Sequence, residues 1–269
     1  MFNEGPRQAA ILIPGTGKVH FEVTTNSPEA QKFFNQGIGQ LHGFWDFEAE
    51  RTFRQVAAID PDCAMAYWGM AMANYKNNER GKGFIEEAVV RKNKASGREQ
   101  RWIDGLAAYF ENPKADLKKR LRDYVRSLED LAIDYPDDTE AEAFLLKHIY
   151  YNNGKGLPIP SHYTINLLAD KILTTAPDHP ANHYQIHLWD RERAERALTA
   201  AANCGPAAPG IAHMWHMPGH IYTKLKRYED AVWQQEASAR VDHKHMMRFQ
   251  IVPDQIYNFA HNNEWCIRN

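Results

Sequence analysis

Apolar residues along this chain recur at three- and four-residue steps almost throughout, which is the period of helices that bury one face. From Ser27 the pattern is clear. Phe33, Phe34, Gly37 and Leu41 share one face of a helix that Ser27 can cap, with Glu29 in its first turn. A break over Gly43–Asp46 leads to a second helix carrying Ala49, Phe53, Val56 and Ala57 on one side. Asp60-Pro61 ends it, because proline has no N–H to continue the ladder and restricts the residue before it. Ala64, Ala66 and Gly69 open the next helix with side chains small enough for close approach. Further on, Ser96 and Glu99 form an S-x-x-E capping box that starts a fresh helix through Trp102 and Tyr109. Residues 1–26 lack the helical period. Pro14, Gly15 and Gly17 predict an extended lead-in there, with one short strand at Val19–Val23. "YNNGKGLPIPSHY" reads as a loop, with two glycines and two prolines in a short span.

The helices also repeat. Phe33, Gly37, Ala49, Phe53 and Pro61 fall at a spacing that resembles the tetratricopeptide repeat, two antiparallel helices in roughly 34 residues. The spacing recurs around Trp215, Gly219, Tyr222 and Ala231. Weaker echoes run through Ala132, Pro136, Ala141 and Ala143, and through Ala169, Pro177 and Ala181. Gln40 stands where the repeat usually has tyrosine, and the segment after Glu79 is longer than a standard second helix. The segments "HMPGHIY" and "AHNNEW" are similar to an uncharacterised bacterial branch of that superfamily, which brings no catalytic residues with it. The resemblance implies an all-α fold: a right-handed α-solenoid of tetratricopeptide-like helix pairs over residues 27–269, behind an extended segment at 1–26. "DQIYNFAHNNEWCIRN" then reads as the first helix of a further pair, so the repeat domain is expected to be incomplete at its C-terminal end and open to pairing with a second copy there.

Composition narrows the function classes. The 269 residues carry 32 Lys+Arg against 34 Asp+Glu, a net charge of −2, which argues against nucleic-acid or anionic-membrane partners. No run reaches the length of a membrane span. The N-terminus lacks the charged, apolar, small-residue order of a secretion signal. A cytoplasmic location follows, unless the chain is cut from a longer exported precursor. Cys63, Cys204 and Cys266 are far apart and without a C-x-x-C, so reduced thiols are expected. Phosphate-loop, Rossmann and nucleophile-elbow motifs are missing.

Histidine is the unusual feature, since eleven of thirteen lie beyond Asp134. In the repeat that the chain resembles, the first helix of each pair lines a concave groove. Counting from Gly219 as the small packing residue puts His213, His216 and His220 on that surface. The same count from Ala260 adds His261 and Glu264. His183 and His187, four apart, share a helix face. Imidazole suits zinc, copper, iron or nickel, and an i, i+4 pair supplies two ligands. No H-E-x-x-H is present, and Pro218 leaves the helical phase of His213 open. Met214 and Met217 are either soft ligands or core filling. Asp190 and Glu264 are carboxylates available as bases beside a metal. His42, His148 and His162 read as packing or hydrogen-bonded residues, and His243 and His245 as a solvated stretch after a helix end. Two function classes result. One is a helical-repeat binding module whose groove, rich in histidine and aromatic residues, holds a peptide or protein partner. The other is a metalloprotein or metal-dependent enzyme holding a divalent transition metal, zinc, copper or iron, at a site formed by His183, His187, His213, His216, His220 and His261.

Overall fold

The computed structural model describes residues 3–269, so the first two residues of the lead-in lie outside the described residues. Among these the protein is all-α, with thirteen α-helices: α1 Pro28–His42, α2 Asp46–Ile59, α3 Ala64–Ala73, α4 Asn78–Arg91, α5 Gly97–Glu111, α6 Leu117–Asp134, α7 Thr139–Asn153, α8 His162–Thr175, α9 Asn182–Trp189, α10 Leu198–Ala207, α11 Ala212–Lys224, α12 Tyr228–Phe249 and α13 Tyr257–Arg268. They pack mostly on their chain neighbours, in the manner of a helical repeat. None is long and apolar enough to cross a membrane.

Contacts gather into two compact units. The first comprises the described residues up to Leu12, Val19–Leu41 and Trp45–Ser161; the second comprises Ile13–Lys18, His42–Phe44 and His162–Asn269. In the first unit the small residues act as expected. A Cβ on Gly37 or on Gly69 would lie about 2.5 Å from the ring of Phe53, so α1 and α3 both close on that one side chain. Ser27 accepts from the Ala30 N–H, and the Ser96–Glu99 box is formed.

The expected strand at Val19–Val23 does not form, and no described residue is in a strand. The segment has no second strand to pair with. Its backbone is satisfied instead by side chains of α1: Phe21 N–H donates to Asn35 Oδ1 (3.1 Å), Val23 N–H donates to Gln31 Oε1 (3.0 Å), and Gln31 Nε2 donates to the Phe21 carbonyl (2.8 Å). Phe21 is buried against Phe34, Trp68 and Trp102, and this ring anchors the lead-in as an extended strap.

In the second unit α11 packs on both α10 and α12, and it also touches α9 and α13. A Cβ on Gly219 would meet Gln235 Nε2 at 2.1 Å, so a larger residue there would displace the Gln235 amide from its bonds to His216. The buried seam of α12 steps by three and four through Ala231, Gln235, Ser238, Asp242 and His245, with Met246 beside it, and is mostly polar. Here the sequence expectation needs correcting. His243 and His245 do not follow a helix end: α12 continues to Phe249, and His245 is buried against the Phe249 ring. Pro218 lies inside α11 rather than at its start. It removes one hydrogen bond from the helix without ending it, because α11 is held on several sides by neighbouring helices.

Candidate metal centre

The six histidines singled out from the sequence all lie in the second unit, and they form two sets of three. His183 and His187 on α9 meet His213 on α11; His216 and His220 on α11 meet His261 on α13. Within each set every residue offers a ring nitrogen, and these atoms all lie within 4.8 Å of one another.

Hydrogen bonding settles which nitrogen faces inward. His183 Nδ1 is 2.9 Å from the His42 carbonyl, which can only accept, so Nδ1 carries the proton and Nε2 carries the lone pair. That Nε2 is 3.0 Å from His213 Nε2. The second set repeats the arrangement. Gln235 Nε2 donates to the His216 carbonyl (3.1 Å), which turns Gln235 Oε1 toward His216 Nδ1 at 2.6 Å. His216 Nδ1 must therefore donate, and its Nε2 faces His220 Nε2 at 2.9 Å. The lone pair of each such Nε2 is met either by the N–H of the partner ring or by a cation between the two. Two tetrahedral ligands at about 2.0–2.1 Å from zinc would stand roughly 3.3 Å apart, so a few tenths of an ångström of relaxation suffices. Metal-binding histidines commonly give their second N–H to a carbonyl or carboxylate, as both do here.

The surroundings favour neutral rings, the form that binds metal. Burial, and after it His213, His220 and His216, holds His187 well below the usual histidine range. Burial, then His183 and the second set, does the same to His213. Burial and His220 push His216 down to about 3, against the opposing bond to Gln235. His220 and His261 are lowered by burial too, opposed by Asp190 and Glu264 respectively.

One aromatic ring lies against all three imidazoles of each set. Phe44 is 4.5 Å from His183, 5.7 Å from His187 and 5.6 Å from His213, stacked on the last two. Its φ is +56°, a left-handed conformation costing about 1–3 kcal/mol that persists only where the surroundings impose it. Trp265 is 4.3 Å from His220, 6.0 Å from His216 and 6.2 Å from His261. Asp190, which ends α9, places Oδ2 3.8 Å from His220 Nδ1, and its Oδ1 is buried with no hydrogen-bond partner among the described residues.

Two expectations change. The histidines do not all line an open surface, since His183 and His216 are buried in the layer between helices. Glu264 is not at the cluster's heart; it is exposed and paired with Arg268 at 2.6 Å. Met214 and Met217 are buried in the core. His42 is buried and bonded to the Tyr184 hydroxyl (2.7 Å), and it enters the site through its carbonyl rather than its ring.

Phe44, Gln235 and Trp265 escaped the sequence reading as site residues. Phe44 falls in what reads as a helix break, and Gln235 is an unexceptional helix position whose partner lies 19 residues away. Compared with protein-family models and with curated proteins, the sequence matches none.

Proposed function

We propose that this is a metalloprotein in which each three-histidine set holds one transition-metal ion of the imidazole-binding class, zinc, copper or iron, and leaves a coordination position open. The observation that carries this reading is the pair of Nε2–Nε2 approaches at 3.0 and 2.9 Å, each made by a histidine whose Nδ1–H is already committed. Three protein nitrogens with a vacant fourth position is the arrangement of ions that activate a bound ligand, whereas purely structural ions have four protein ligands. The test is metal content on chain purified without a histidine tag, together with thermal melts with and without chelator. Saturation at a hundredfold excess over Kd adds about 2.7 kcal/mol of stability. A metal-free preparation whose melting no ion shifts would remove the reading.

A second reading is a binding module built from tetratricopeptide-like helix pairs in a right-handed solenoid. The sequential helix packing supports it, as do the close contacts of Gly37 with Phe53 and of Gly219 with Gln235. On α12 the exposed Tyr228 and Trp233 border a cleft of about 380 Å3 with Val232 and Glu236, a surface suited to an apolar partner segment. Binding there and metal binding at the histidines do not exclude each other.

A further inference from the structure

The two sets are contiguous rather than merely similar. Both draw on α11, the first through His213 and the second through His216, and these rings stack with centroids 5.8 Å apart and planes 25° from parallel. Their ligand inventory is also uniform. Every donor is an imidazole nitrogen, with no carboxylate or thiolate in either set. Two divalent ions on six neutral ligands would bring four positive charges among rings of which His183 and His216 are buried and the other four half-buried. Half-buried Asp190 supplies one negative charge, at the edge of the second set. Uncompensated buried charge is costly, so monovalent ions fit this environment better than divalent ones. Copper is the transition metal that is stable as a monovalent ion at low coordination number. It also heads the affinity order for imidazole sites when divalent, so the same ligands hold both of its oxidation states.

We propose that the two three-histidine sets hold a pair of copper(I) ions that together bind dioxygen. This rests on the metal-binding reading above and adds the number of ions, their identity and their ligand. The electron count closes without further reactants. Each copper(I) gives one electron and becomes copper(II), and dioxygen accepts both. The O–O bond order falls from two to one, so the oxygen is held at the peroxide level with no proton taken up. No protein bond forms or breaks, and release returns the electrons to the metals. Exclusion of water suits this chemistry, because water would protonate the reduced oxygen and carry it off. Phe44 and Trp265, one against each set, supply apolar walls.

The test uses the full chain, tag-free and stripped of metal, loaded with copper(I) under argon. Copper is counted first; oxygen is then admitted while the near-ultraviolet and visible absorption is followed, and finally purged. The expected result is two copper ions per chain, one for each set, and an intense absorption band that appears with oxygen and disappears on purging. His187→Gln and His261→Gln, both at half-buried positions, each remove one ligand from one set. Each variant should lose at least about tenfold in affinity for one of the two ions and lose the whole oxygen band rather than half of it. Circular dichroism confirms that each is folded, and zinc loading of the intact chain serves as the colourless control. Two coppers without an oxygen-dependent band would overturn the dioxygen inference and leave the metal reading standing, as would a band that merely halves in the variants. A chain that takes up no transition metal at all would remove both.

Discussion

His148 in the first unit and His216 in the second are both buried histidines on helices, yet their surroundings have nothing in common. His148 is enclosed by rings: Tyr75 at 4.7 Å and Tyr124 at 4.8 Å edge-on, with Phe144 stacked at 6.5 Å. It fills space in an aromatic core. His216 has its Nδ1 held by Gln235 and its Nε2 aimed at another imidazole, with a third ring, that of His261, at 4.7 Å. Burial alone therefore does not distinguish a packing histidine from a ligand. What does is the combination of an oriented tautomer and a second imidazole nitrogen facing its lone pair.

The largest expected separation between the two comes from truncation. His148→Ala should cost about 3 kcal/mol of stability, as removal of a large buried ring does, with metal uptake unchanged. His213→Gln should cost much less in the metal-free chain, because it relieves crowding among imidazoles, while removing the stabilisation by metal at the first set. Denaturant melts with and without metal check both; equal losses would erase the distinction.

Next in size is the orienting bond. Gln235→Leu keeps the volume of the α12 seam but takes away the acceptor that fixes the His216 tautomer. Metal affinity at the second set should fall about 10–100-fold, with the first set unaffected, as titration of each variant will read. An unchanged affinity would show that packing alone orients His216.

Proton linkage should give the smallest effect, in opposite directions at two places. The depressed histidines bind fewer protons folded than unfolded. The metal-free protein should therefore be most stable above the unfolded histidine value of about 6.5 and lose stability as pH falls toward the folded values, His216 being pushed down to about 3. Burial pushes Asp242 up to about 7, against its bond from Asn262 Nδ2 (2.9 Å). That contribution is present in full below the unfolded carboxylate value and is lost as pH rises through about 7. Asp242→Asn should then stabilise the protein at pH 8 by roughly 1–2 kcal/mol and change little at pH 4, measured by melts at both.

Much of this molecule is readable from local pattern. The α1 and α2 boundaries and the Ser96–Glu99 cap depend on residues a few positions apart. The strand expected at Val19–Val23 shows the limit of that approach. An extended run is common to strands and straps, and only the presence or absence of a pairing partner decides between them. The continuation of α12 past His243 to Phe249 is hidden from local pattern for a related reason. A seam of Gln235, Ser238, Asp242 and His245 carries no hydrophobic period, although it is buried as a helical face.

The sequence by itself determined an all-helical chain and which six histidines to watch, because helical phase and i, i+4 spacing are local properties of the backbone. Tertiary structure alone decided that they divide into two sets, which nitrogen of His183 and of His216 points inward, and that Phe44 and Trp265 each lie against three imidazoles. Those outcomes depend on pairs such as His183 with the His42 carbonyl, 141 residues apart. Nothing in the neighbourhood of either residue encodes the meeting; it arises when the helices bury their faces and each enclosed polar group must find a partner.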